Sequence, residues 1–60
     1  MLILTRRIGE RLIITTTSGD RIEVWPTESA KGQVKIAIEA PRSISVDRQE
    51  IHERKRKEAL

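Results

Sequence analysis

The sequence predicts an all-β subunit closed by a C-terminal helix, in the order β-β-β-β-β-α, acting as an intertwined homodimer with strands exchanged between subunits. Three observations lead there. Short alternating or β-branched runs, punctuated by Gly and Pro, recur as far as Val46. The aliphatic residues are nearly all Ile, Leu, Val and Ala, with one Trp and no Phe or Tyr, a set that suits a compact β core. After Val46 the pattern becomes highly charged and opens with helix-start residues.

Residues 1–8 alternate: Leu2, Leu4, Arg6 and Ile8 share one face, and Ile3, Thr5 and Arg7 the other, which predicts a first strand. Gly9-Glu10 signals a turn. Residues 11–17 are β-branched and aliphatic, a second strand, and Ser18-Gly19-Asp20 forms the hairpin turn, where Gly19 supplies a positive φ. Residues 21–25 alternate through Ile22 and Val24, a third strand that Pro26 ends or marks as an edge. Thr27 to Gly32 reads as a polar loop. Residues 33–40 give the clearest strand, with Val34, Ile36, Ile38 and Ala40 on one face. Pro41-Arg42 breaks it, and residues 43–46 make a short fifth strand.

Asp47 is a candidate N-cap, with Glu50 as its capping-box partner and Val46 and Ile51 as a hydrophobic staple. A helix over about 48–58 follows, supported by Glu50–Arg54 and Glu53–Lys57 at i,i+4 spacing. After Ile51 its only apolar residues are Ala59 and Leu60, so it is expected to project into solvent from an anchored first turn.

A 60-residue chain is one domain, and a domain this small buries only about 60% of the surface its unfolded chain exposes. Small folds compensate with disulfides, metals or oligomerisation. There is no cysteine, and the one histidine, His52, does not make a structural zinc site. Oligomerisation remains. Five short strands also leave open edges, and strand exchange between two subunits is the simplest way to cover them.

No catalytic constellation stands out. His52 lies in the charged helix, no Ser sits in a nucleophile elbow, and the glycines are isolated turn residues without a phosphate-binding pattern. The chain is read as a non-enzyme without cofactor. Nothing approaches the ~20 apolar residues of a membrane span, and Met1-Leu2-Ile3-Leu4 is too short for a signal-peptide core. A cytoplasmic protein is expected. Twelve Lys and Arg against nine Asp and Glu leave a net charge of +3, which favours anionic partners. The cations cluster at Arg6-Arg7-Arg11 and at Arg48 with Arg54-Lys55-Arg56-Lys57. The tail reads either as a solvated helix end complementing the dipole or as a phosphate-steering element. Without Phe or Tyr, RNA would be read by backbone groups, arginine planes and aliphatic contacts rather than by stacking platforms.

The segments Met1 to Glu10, Gln33 to Ile38, Ala40-Pro41 and Ser45 to Ile51 together resemble, in order and over nearly the whole chain, the carbon storage regulator family of translational regulators. The resemblance implies an intertwined homodimer of five-stranded subunits. It implies binding to GGA triplets in hairpin loops of messenger leaders, blocked ribosome binding or altered messenger stability, and titration by small regulatory RNAs. The RNA surface would set the first strand of one subunit beside the fifth strand of the other. Leu4, Thr5, Arg6 and Arg7 would line it, Ala40 and Pro41 would read guanine through backbone groups, and Val46, Asp47, Arg48, Gln49, Glu50 and Ile51 would complete it, with Arg48 foremost. Some relatives are held inactive by a flagellar assembly protein.

The chain departs from the family pattern at Asp47, where histidine is common, at Gln49, often glutamate, in a longer hairpin over residues 15–20, and at Trp25-Pro26. Trp25 shares a face with Arg21 and Glu23, as packing in a core or dimer interface or as an exposed stacking surface. Two other readings are an auxiliary dimer partner or protein-interaction decoy with weak RNA binding, and a small DNA-binding β dimer of the transition-state regulator type.

Overall fold

The computed structural model describes the backbone of residues 1–59 and the side chains of residues 1–57. The apolar pair Ala59-Leu60 named above lies outside the residues whose side chains are described. The elements are β1 (Leu12–Thr15), β2 (Arg21–Ala30), β3 (Gln33–Glu39) and α1 (Gln49–Ala59). The strands form one antiparallel sheet with β2 in the middle.

The β1–β2 hairpin closes as its composition requires. Gly19 donates its N–H to the Thr16 carbonyl at 3.0 Å and has φ +89°, a left-handed position that favours glycine. The Thr16 hydroxyl accepts the Asp20 N–H at 3.0 Å. Thr16 is thereby drawn into the turn, and the strand expected to reach residue 17 stops at Thr15.

The expected loop over residues 27–32 is instead mostly strand. β2 runs through Pro26 to Ala30, and the connection is the two-residue turn Lys31-Gly32, flanked by the pair Ala30–Gln33. Both turn residues have positive φ, +52° and +76°, as a twisted two-residue hairpin needs. Pro26 is tolerated because of its side. Its carbonyl accepts the Gly9 N–H at 2.8 Å, and in a strand a residue's N and C=O point the same way. The missing N–H therefore faces the β1 side, beyond the end of β1, and the β2–β3 ladder loses nothing. A bulge follows between Pro26 and Glu28. Thr27 is the extra residue, and its hydroxyl donates to the Lys35 carbonyl at 3.3 Å.

The register sorts the two faces. Leu12, Val24 and Ile38 lie opposite one another, as do Ile14 with Ile22 and Pro26 with Ile36, so one face is continuously apolar. The other carries Glu23, Trp25, Lys35 and Glu39 among others, and Trp25 does share its face with Arg21 and Glu23.

The first and fifth expected strands, residues 1–8 and 43–46, are not strands in the single chain. Among the described residues they have no neighbouring ladder, and a strand exists only against one. Residues 41–44 form a turn, Ile44 donating its N–H to the Pro41 carbonyl at 3.0 Å. α1 lies clear of all three strands.

No described residue is buried. Ile36 is 58% exposed, Val34 54% and Leu4 57%. The accessible surface is 5803 Å², whereas a compact chain of 6.9 kDa would expose about 4,000 Å². The radius of gyration, 13.8 Å, likewise exceeds the roughly 10 Å of a compact domain of this length.

Candidate nucleic-acid interface

The N-terminal arm is fixed by one turn. Glu10 donates its N–H to the Arg7 carbonyl at 2.9 Å, and Gly9, with φ +84°, takes the position where such a turn needs left-handed backbone. The Glu10 carboxylate closes the loop in return. Its Oε1 accepts the Arg7 N–H at 2.8 Å, and its Oε2 lies 2.7 Å from the Arg6 guanidinium. The Arg7 N–H first, then Arg6, hold the Glu10 carboxyl below its ordinary range. Because Gly9 is also bonded to Pro26, the turn sets Arg6 against the middle of β2. Leu4 and Arg6 line one groove with Leu12, Val24, Trp25 and Pro26. Thr5 and Arg7 are exposed.

Ala40 and Pro41 leave the end of β3 and line a second depression with Arg21, Glu23, Ile38 and Glu39. Both are half-buried.

The third group surrounds the start of α1. Ile51 and His52 both donate their N–H groups to the Arg48 carbonyl at 3.0 Å, which makes Arg48 the N-cap. The expected capping box of Asp47 and Glu50 does not form. Asp47 sits one residue too early, and its carboxylate is taken by Ser45, whose hydroxyl donates at 3.1 Å, and by Lys55 at 3.0 Å. Glu50 pairs with Arg48 at 3.3 Å. With the cap at Arg48, the staple positions fall on Asp47 and His52, neither of them apolar, so the expected Val46–Ile51 pair does not occupy them. The expected i,i+4 ion pairs give way as well: among the described residues, Glu53 accepts from Gln49 at 3.2 Å. Arg48 is 77% exposed, Val46 is exposed, and Ile51 is half-buried.

One chain therefore distributes the expected RNA-binding residues over three separate surfaces. Sequence reasoning missed the contacts that three further side chains make at these surfaces. Glu10 read only as part of a turn, although its i,i+4 spacing from Arg6 was a usable signal. The contacts of Ser45 and Lys55 with Asp47 gave no signal, because pairs two and eight residues apart belong to no helical period.

Among the described residues, no cluster of His, Cys, Asp and Glu is arranged to hold a metal ion, and no helix is long and apolar enough to cross a membrane.

The Global regulator protein family, CsrA, matches residues 1–57. The chain belongs to this family. Membership places it among RNA-binding post-transcriptional regulators, a regulatory rather than enzymatic class whose members bind messenger RNA and are governed by small RNAs. No solved structure matches the chain. The CsrA match spans all three groups of site residues.

Proposed function

We propose that the chain works as a homodimer that binds GGA triplets in hairpin loops of messenger leaders, blocks ribosome binding or alters messenger stability, and is titrated by small RNAs carrying the same triplet. The observation that carries the dimer is the uncovered apolar sheet face. The chain exposes about 1,800 Å² more than a compact chain of its mass, and twice that falls within the range of obligate homodimer interfaces, about 2,000–5,000 Å². Family membership carries the regulatory class.

Strand exchange gives the two unpaired segments their partners. Residues 1–8 of one copy lie beside residues 43–46 of the other, so that Leu4, Thr5, Arg6 and Arg7 meet Val46, Arg48 and their neighbours across the dimer. Unpaired guanines in a loop present their edges to backbone donors and acceptors near Ala40-Pro41. The planar guanidinium of Arg48, already exposed, offers paired donors to phosphate or base edges. Two such grooves per dimer engage two loops of one messenger, with gains in avidity of about 10²–10⁴ where the spacing fits. Location in the cytoplasm follows from this role.

Gel-shift titration of a GGA hairpin and its GGA-mutated twin tests the reading. Wild-type protein prefers the GGA hairpin, and Arg48→Ala abolishes that binding while leaving a folded dimer. Equal affinity for the two hairpins contradicts the function, and unchanged affinity in Arg48→Ala contradicts the site.

A further inference from the structure

A recess of about 700 Å³ opens beside α1, lined by Ser45, Asp47, His52, Lys55 and Arg56. Its shape depends on one long-range pair. Eight residues of helix rise about 12 Å, farther than a lysine side chain reaches, yet Lys55 Nζ lies 3.0 Å from Asp47 Oδ1. The segment leading into α1 therefore folds back along the helix, and Ser45 is brought to the same carboxylate at 3.1 Å. Asp47 is 16% exposed, whereas Lys55 is 60% exposed.

A hydroxyl and an ammonium converge on one carboxylate, with a guanidinium and an imidazole in the same recess. This donor set also suits a phosphodiester oxygen, which accepts the same charge-assisted hydrogen bonds as a carboxylate. An ammonium has three donors, so Lys55 can hold Asp47 and a phosphate together or exchange one for the other. Arg48, one residue from Asp47, joins this recess to the proposed base-reading groove.

We propose that Ser45, His52, Lys55 and Arg56 form a subsite for an RNA backbone phosphate flanking the recognised triplet, and that Asp47 is a built-in competing anion that occupies the subsite's donors when RNA is absent. The proposal rests on the RNA-binding reading above and adds helix α1 to the footprint. The subsite contributes affinity without base preference. Asp47 lowers that affinity and fixes the position of Lys55 before RNA arrives.

The test measures binding of GGA and GGA-mutated hairpins with single-stranded flanks across a salt series, for wild type, Lys55→Ala, Arg56→Ala and Asp47→Asn. Circular dichroism and sedimentation check that each variant is a folded dimer. Lys55→Ala and Arg56→Ala weaken both hairpins by the same factor, and each flattens the slope of log K against log[salt] by about 0.7, the value for one single-strand phosphate contact. Asp47→Asn, which keeps a partner for Ser45 and removes the charge, tightens both hairpins severalfold.

If the pair were only a strut for the helix, Asp47→Asn and Lys55→Ala would both weaken binding at an unchanged salt slope, and that result overturns the proposal. So does unaltered affinity in Asp47→Asn. Failure of the functional reading looks different: wild type then shows no GGA preference, while the slope change in Lys55→Ala still reports the phosphate contact.

Discussion

The guanidinium carbon of Arg11 lies 3.5 Å from the centre of the Trp25 ring, on the polar face of the sheet. Arg11 immediately precedes β1 and continues its register with β2, since Leu12 pairs with Val24. The cation is thus delivered over the neighbouring strand's ring by strand geometry. Trp25 is half-buried, and Arg11 also stands 4.0 Å from Glu39. The chain's one tryptophan therefore has a cationic partner of its own on the polar face.

Cation–π pairs at exposed sites contribute about 0.5–1 kcal/mol. Arg11→Met, which keeps the aliphatic stem and removes the charge, is expected to lower stability by about that amount and to change Trp25 fluorescence, which has a single source in this chain. Denaturant titration at fixed protein concentration checks both. Unchanged stability with unchanged emission contradicts the pairing.

The Arg7–Glu10 turn carries its own pH dependence. A carboxyl with a lowered folded pKa adds stability that is present above its unfolded value and is lost as pH falls through the folded one. Glu10 lies below its ordinary 4.5, so the turn keeps its full contribution above that pH and gives it up only in more acidic solution. Carbon NMR titration of the Glu10 carboxyl shows this directly. Wild type titrates below 4.5, and Arg6→Ala returns only part of the way, because the Arg7 N–H is the larger cause. A complete return in Arg6→Ala contradicts that order of causes.

Folding and association are one equilibrium if the apolar face is the dimer core. The melting temperature is expected to rise with protein concentration. Ile36→Asp, at the centre of the face opposite Pro26, places an unpaired charge in that core and is expected to leave the chain unfolded, as far-ultraviolet circular dichroism would show. A concentration-independent transition, or a folded Ile36→Asp monomer, contradicts the assignment.

Much of this was legible in the residues. Alternation placed β3 and the core of β2, Gly19 marked its hairpin, and the change of pattern after Val46 marked α1. The errors have physical causes. Pro26 and the polar run after it masked the far half of β2, because sequence does not show on which side the missing N–H falls. Asp47 had the chemistry of an N-cap but lost its carboxylate to Ser45 and Lys55, a competition set by a chain reversal that no local pattern encodes. The segments at residues 1–8 and 43–46 have strand-like sequences without strand partners in one chain, because ladder bonds need a neighbour. The candidate site's residues came from family resemblance and from no local pattern, because one chain spreads them over three surfaces and no sequence period links residues 4–7 with 40–41 and 46–51.

Complementation between two defective copies tests that assembly most directly. Arg6→Ala and Arg48→Ala homodimers are each expected to lose GGA-hairpin binding. If every groove takes Arg6 from one copy and Arg48 from the other, unfolding and refolding the two variants together yields mixed dimers with one intact groove and one doubly defective groove, and binding returns at one site per mixed dimer. If refolded mixtures form mixed dimers but stay inactive, both arginines serve the groove from the same copy, and the account is wrong.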